Sequence, residues 1–568
     1  MKLILSQYLR TLKERDEFDR LLPDLLLEMG YVAISKPQTG VRQFGVDLAV
    51  VGTCPDDGVQ ELLLLVIKRG DIGRSEWDSG PQSVRSSLNE VLDVYLKIHI
   101  EPAHENLRKK IVFATTGDLK QDTQINWDSY TKENSARAEF SFWGGDKTAT
   151  LIEKYMLNEN IFDAENRTHL RRSLALAGTI DYDQKDLYRL FLNQLGLNEK
   201  GELVEQSVNP RKLVKALRIV NLSAQIFSKW SEDELNLKQS LIVAERAVLW
   251  SWHRIQLEDI ENREQYYSEI SEFWRVYNQI AQQYYEKLLN HIHVQDGLSG
   301  YSRESSEFSL IIFEQIGLFA TIGLSQILVV DSDQTQQQVN LENATTVAKA
   351  LIELIQNNPV AGLPALDGNV IDIVLGLVLL VLTGHKKQAQ DWLEKLVKRL
   401  DYTLKTKRNF PICTDSLDDL VDFVVFQDEQ LTKRLMKTSW LLPTLAGWSV
   451  ILERVDLYNL LAKNTRSDYP EVCMQFWHPT QDISNHIYFT QAQFHCGETE
   501  APINLPENID AFCDMINAVV GSSRHNIVDS SPAGLVGMPT LDLIACRHFR
   551  TPVAPYFWYK LFNQETNV

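Results

Sequence analysis

One short stretch limits what this chain can fold into more than any other. Residues Glu61-Leu62-Leu63-Leu64-Leu65-Val66-Ile67-Lys68 are apolar from end to end, with charge only at the two ends. A run of this length, rich in Leu, Val and Ile, reads as a strand. It is preceded by a second apolar run, Leu48 to Val51, and a polar loop holding Pro55, Asp56, Asp57 and Gly58. Two strands joined by a turn follow from that pattern. A lone carboxylate, Asp47, stands at the start of the first strand, and Lys68 ends the second. Charges beside so apolar a pair are costly unless they are paired or bind a ligand. A carboxylate can hold Mg²⁺, and a lysine can orient water or stabilise developing negative charge. Those are the parts of metal-assisted phosphodiester hydrolysis. An exposed ion pair at the rim of a sheet is the structural alternative.

The neighbouring sequence extends the pattern. Apolar positions between residues 8 and 29 recur at helical spacing, with Gly30 suited to end the helix. Tyr31 to Ser35 reads as a strand, with a Gly40-containing turn after it. Pro81 to Ile98 reads as a helix with Val84, Leu88, Val91, Leu92 and Leu96 on one face, and Pro81 suits its first turn. Lys110 to Gly117 and Glu139 to Trp143 read as further strands, and Thr148 to Leu157 as a helix. The expected order is helix, three strands, helix, strand, strand, helix. This is an α/β domain with helices against a mixed sheet.

These segments together resemble the Mrr-like branch of the PD-(D/E)xK restriction-endonuclease superfamily. Phe18-Asp19, then Leu25-Leu26 and Met29-Gly30-Tyr31, resemble that family's first helix. Gly45-Val46-Asp47 resembles its metal-binding Asp after a Gly. Val66-Ile67-Lys68 stands where the family has Glu or Gln, any residue, then Lys. Gln82 lies where these nucleases often carry a Gln, and Phe142-Trp143-Gly144-Gly145-Asp146 resembles the closing strand and turn. The resemblance implies Asp47, Lys68 and Gln82 as catalytic residues and Mg²⁺ or Mn²⁺ as cofactor. It implies DNA as substrate, a dimer that cuts both strands, and a role in prokaryotic defence. Val66 departs from the pattern, because its side chain cannot bind a metal. Asp19 or Glu90 are the expected substitute ligands; Glu61 lies far along the strand. Arg69, Arg74 and Arg85 are candidate phosphate contacts. A lapsed site serving as a DNA-binding or protein-interaction scaffold is the alternative, and RNA cleavage a third reading.

Composition bounds the partner. The 568 residues carry a formal net charge of −19. That excludes a protein whose whole surface binds nucleic acid. Residues 1–160 hold 20 Lys and Arg against 25 Asp and Glu, or −5, leaving −14 for the remainder. Any DNA contact is therefore local, and the front, closer to neutral, permits a basic groove. Six cysteines in such a length form no disulfide framework. The N-terminal apolar run is too short for a secretory signal. The most apolar run, Val370 to Leu382, contains Asp372 and is too short to cross a bilayer. It reads as a buried helix, no membrane contact is expected, and the cytoplasm is the expected compartment.

The expected domains are 1–160 as the nuclease-like domain, 161–180 as linker, 181–405 as an α-helical domain and 406–568 as a mainly helical domain. The helical region is expected to sense, to recruit a protein partner or to make a homo-oligomer. Its Tyr- and Trp-rich stretch, Gln265 to His291, reads as helix core rather than as a platform for bases. Scattered His and Cys near the end do not match a paired CxxC zinc module, and no Walker A loop or nucleophile elbow is present.

Overall fold

The computed structural model describes the chain except Met1, 36–43, Pro81, 157–163, 180–182, 206–208, 235, 302–304, 328–333, 407–410, 427, 477–486, 491–502, 523–530 and 553–568. Two compact units divide it. The first comprises Met1–Gly196 with Glu205–Asn236, the second Leu197–Val204 with Leu237–Val568.

The first unit is built on a five-stranded mixed sheet in the order β1 to β5. Its strands are β1 (Tyr31–Ser35), β2 (Leu48–Thr53), β3 (Gln60–Lys68), β4 (Arg108–Thr115) and β5 (Glu139–Trp143). β1, β2 and β3 run antiparallel; β3, β4 and β5 run parallel. β3 is central, and Glu61 to Ile67 are all buried. Its continuous apolar run follows, since both faces are covered. On one face Ala49, Leu62, Leu64, Val66, Ile111 and Phe113 pack against Val84, Leu88, Val91 and Leu92, with Trp77, Trp127 and Tyr130. On the other face Leu48, Leu63, Leu65, Ile67 and Val112 are equally buried.

Three helical segments differ from the sequence reading. The stretch expected as one helix over 8–29 is two, α1 (Lys2–Thr11) and α2 (Asp19–Glu28), joined by a π-turn at Glu14–Phe18. Between β3 and β4, α3 is the short helix Arg74–Asp78. The next helix, α4, starts at Val84 rather than Pro81, capped by the Ser83 hydroxyl, and continues beyond Glu90 in π-form to His99. A helix the sequence reading omitted, α5 (Gln121–Asn134), joins β4 to β5. A parallel pair needs such a crossover. Only Thr123, Trp127 and Tyr130 of α5 are buried, so its apolar periodicity is faint. After β5, α6 (Gly145–Leu151) continues in π-form to Met156.

The first unit also takes in α7 (Ala164–Ala175), α8 (Lys185–Leu195) and α9 (Pro210–Asp233). α7 occupies the stretch read as linker. α9 is bound by charge: Lys215 and Arg218 lie 3.3 and 3.6 Å from Glu28, and Lys229 lies 3.5 Å from Glu17. Tyr8 adds a 3.1 Å hydrogen bond from its hydroxyl to Gln225.

The second unit is helical. It holds α10 (Leu237–Gln256), α11 (Tyr267–Ile292), α12 (Ser305–Ile327), α13 (Gln334–Asn357), α14 (Val370–Leu382) and α15 (Lys386–Thr406), of which α11 and α14 fall on the stretches read as helix. Trp252, Tyr266 and Tyr277 are wholly buried, as core aromatics are. α14 is buried, and its Asp372 is held by Arg550 at 3.1 and 3.2 Å. Glu307–Ile327, within α12, is long and apolar enough to cross a membrane by length and composition. However, 83% of that window is buried inside the protein, as in a core helix.

Candidate functional site

The site is set by the approach to β2. Phe44 and Gly45 both adopt positive φ, 50° and 81°. A Cβ on Gly45 would stand 2.2 Å from the Ser87 carbonyl oxygen and 3.1 Å from the Val91 side chain. Glycine is thus required by both the backbone angle and the closeness of α4. Phe44 stacks on His99 of the same helical run, with ring centroids 4.4 Å apart. This turn delivers Asp47 to the sheet.

Asp47 is then fixed from two sides. Its backbone N–H donates to Leu65 O at 2.9 Å. Its carboxylate Oδ2 accepts from the Ile67 N–H at 2.7 Å. Leu48 pairs with Leu65 in the β2–β3 register, so one step further brings Asp47 opposite Val66. Ala49, Leu64 and Val66 share a face, and alternation puts Asp47 and Lys68 on it too. Diagonal neighbours of this kind are roughly 7–8 Å apart, within the reach of a lysine.

The electrostatics of Asp47 describe its surroundings. Burial pushes its pKa up to about 6; the Ile67 N–H and the Lys68 charge pull it back, and Glu14 and Asp19 push it up further. Two further carboxylates and one ammonium thus act on Asp47 at this end of the sheet. Asp19 is the first residue of α2 and Glu14 opens the π-turn before it. The sequence reading omitted Glu14. Its only signal was one acid among several charges in Lys13-Glu14-Arg15-Asp16-Glu17, and its nearness to Asp47 comes from tertiary packing.

The other candidates are placed as follows. Glu90 is half-buried at the end of α4, one turn beyond Ser87, whose carbonyl faces Gly45. Gln82 is exposed and precedes α4, so it does not share a helix face with Glu90. Among the described residues, no hydrogen bond or ion pair joins Gln82 to Asp47 or Lys68. Arg69, Arg74 and Arg85 are exposed, and Arg85 pairs with Asp78 at 3.2 Å. Glu61 is committed elsewhere. It is buried and accepts from Tyr31 at 2.6 Å and from Arg108 Nε at 2.9 Å. Seven residues of strand, roughly 20 Å, separate it from Lys68.

The side-chain donors near Asp47 are few. Mg²⁺ keeps several waters and takes one or two carboxylates. Asp47 supplies one, with acceptor capacity left beyond the Ile67 bond. Val66 is fully buried and supplies no side-chain ligand. Among the described residues, no group of three or more His, Cys, Asp or Glu is placed to hold a metal ion. The described residues thus form no closed metal site, and Asp47 is the carboxylate placed beside Lys68.

Comparison with known proteins finds no matching family model, no matching curated protein and no matching solved structure.

Proposed function

We propose that the first unit is a Mg²⁺-dependent endonuclease of restriction-endonuclease-like fold, hydrolysing DNA phosphodiester bonds in the cytoplasm. Defence against foreign DNA is the role this reading carries, with the helical region recruiting, sensing or oligomerising. One observation carries it. A half-buried carboxylate, Asp47, raised in pKa to about 6, sits at the end of the central strands beside Lys68, with Glu14 and Asp19 acting on it. Carboxylates gathered this way repel one another, and a cation relieves them. Perturbed groups of this kind concentrate at functional sites.

Bound Mg²⁺ would polarise the scissile phosphate and lower the pKa of an attacking water. Asp47 would hold it through the oxygen lone pairs that Ile67 does not use. The Ile67 N–H fixes the carboxylate's orientation in advance of binding. Lys68 would lend positive charge to the phosphoryl oxygens as negative charge builds there. Asp19, Glu14 and Glu90 are the candidates for a second, water-mediated contact. Arg69 and Arg74, exposed just beyond Lys68, would meet the DNA backbone.

A second reading has its own support. Val66 stands where a carboxylate is expected, and the described residues form no three-ligand cluster. This favours a lapsed site kept as a scaffold. Incubation of the full chain with supercoiled plasmid and with structured RNA, in Mg²⁺ or Mn²⁺, separates the readings. Nicking that is lost with Asp47→Ala and with Lys68→Ala supports the nuclease, and cleavage of RNA alone supports the ribonuclease. Nicking that persists in both variants, or none under any condition, removes the proposal.

A further inference from the structure

In the second unit, α16 (Leu417–Phe426) covers the small core of Leu366, Ile412 and Leu435 with Leu420 and Phe423. Its outward side is also apolar. Leu417, Val421, Val425 and Phe426 are 57%, 50%, 64% and 68% exposed, and Val424 adds to the same side. At 100° per residue Leu417, Val421, Val424 and Val425 form one stripe, since they are spaced by three and four. Scattered exposed apolar residues need no explanation, but a contiguous stripe on one helix does.

Charge selects what covers it. Asp418 and Asp422 are exposed and border the stripe one helical turn apart. From residue 409 to residue 432 the chain holds six acidic residues and no basic one. Three of the six are neutralised within the fold, Asp415 by Arg550 at 2.7 Å, Asp419 by Arg434 at 3.5 Å and Glu429 by Lys433 at 2.8 Å. Asp418 and Asp422 have no ion pair among the described residues. A second copy of this chain would bring a formal −19 against an acidic rim. An anionic bilayer would be repelled in the same way.

We propose that α16 is a docking surface for a basic amphipathic helix of a partner protein. The partner's apolar residues, at i, i+3, i+4 and i+7, lie along Leu417, Val421, Val424 and Val425, and its Lys or Arg side chains meet Asp418 and Asp422. This is the helix-in-groove mode of recognition, with the charged rim setting choice of partner and rate of encounter. It stands independently of whether the Asp47–Lys68 site cleaves, because its readout is binding.

The probe is a labelled 18-residue peptide with Leu on one helical face and Lys on the other, titrated into the full chain by fluorescence anisotropy. A matched peptide carries Glu in place of Lys. The Lys peptide binds the native chain, and its affinity falls on the order of tenfold or more with Val421→Glu/Val425→Glu. It falls with added salt. Asp418→Lys/Asp422→Lys weakens the Lys peptide and gains the Glu peptide. These positions are exposed, and circular dichroism checks that both variants remain folded. Equal affinity of native and variant chains for the Lys peptide, or no binding of it, overturns the proposal. So does self-association in sedimentation, or binding to phosphatidylglycerol vesicles, that Val421→Glu/Val425→Glu abolishes.

Discussion

Oδ2 of Asp47 accepts a 2.7 Å hydrogen bond from the backbone N–H of Ile67, the residue immediately before Lys68. The bond ties the carboxylate on the approach to β2 to the end of the β3 backbone. The position of one charge thus depends on the register that places the other. For the proposed chemistry this predicts a paired loss. Asp47→Ala and Lys68→Ala should each lower metal-dependent plasmid nicking by about a hundredfold or more. If either variant nicks at the native rate, that residue has no part in the reaction.

The raised pKa of Asp47 makes a stability prediction that does not depend on activity. Its folded value, about 6, lies above its ordinary value of 3.8. Asp47 therefore contributes most to folding below about pH 4, and that contribution is lost as pH rises through 6. Asp47→Asn keeps an acceptor for Ile67 and removes the charge. It should raise stability by on the order of 1–2 kcal/mol at pH 8 and leave it unchanged near pH 4. Denaturant unfolding at the two pH values measures both. Mg²⁺ should stabilise the native chain at pH 8 and leave Asp47→Asn unmoved; an equal shift in both would remove Asp47 as its ligand.

Gly45 combines a φ of 81° with the Ser87 carbonyl oxygen 2.2 Å from where a Cβ would lie. Gly45→Ala must move α4 or the turn. A loss of about 2 kcal/mol or more is expected, with any nicking activity reduced along with it. A fully stable and active variant would show that the turn does not position Asp47.

At the far end of β3, Arg108 meets Glu61 and Asp57, and Tyr31 donates to Glu61. Glu61 is 1% exposed. Arg108→Met leaves that carboxylate buried without its cation and should cost about 3 kcal/mol. The Asp47 titration should stay where it was. A Asp47 pKa that moved with Arg108→Met would mean that the two ends of the strand are coupled.

Much of this architecture is legible in the residues. The run Leu62 to Ile67 reads as a strand, and β3 is one; that it is central and covered on both faces is shown by the fold. In the second unit the stretches that became α11 and α14 read as helices from their residues. What the sequence hides is set by tertiary packing. α5 buries only three side chains, so its pattern is nearly uniform in polarity. α4 begins three residues later than Pro81 invites, because Ser83 supplies the cap. At the site, Asp47 and Lys68 stand out because charge interrupts an apolar pattern. Glu14 does not, because its neighbours are charged as well.

The course of α9 bears on how the chain comes to fold. Pro210–Asp233 belongs to the first unit, yet the segment Leu197–Val204 before it belongs to the second. Glu28 and Glu17, near the start of the chain, pair with Lys215, Arg218 and Lys229. During synthesis the front of the protein stays unfinished until some two hundred and thirty residues have left the ribosome. No single cut in the chain separates the first unit whole.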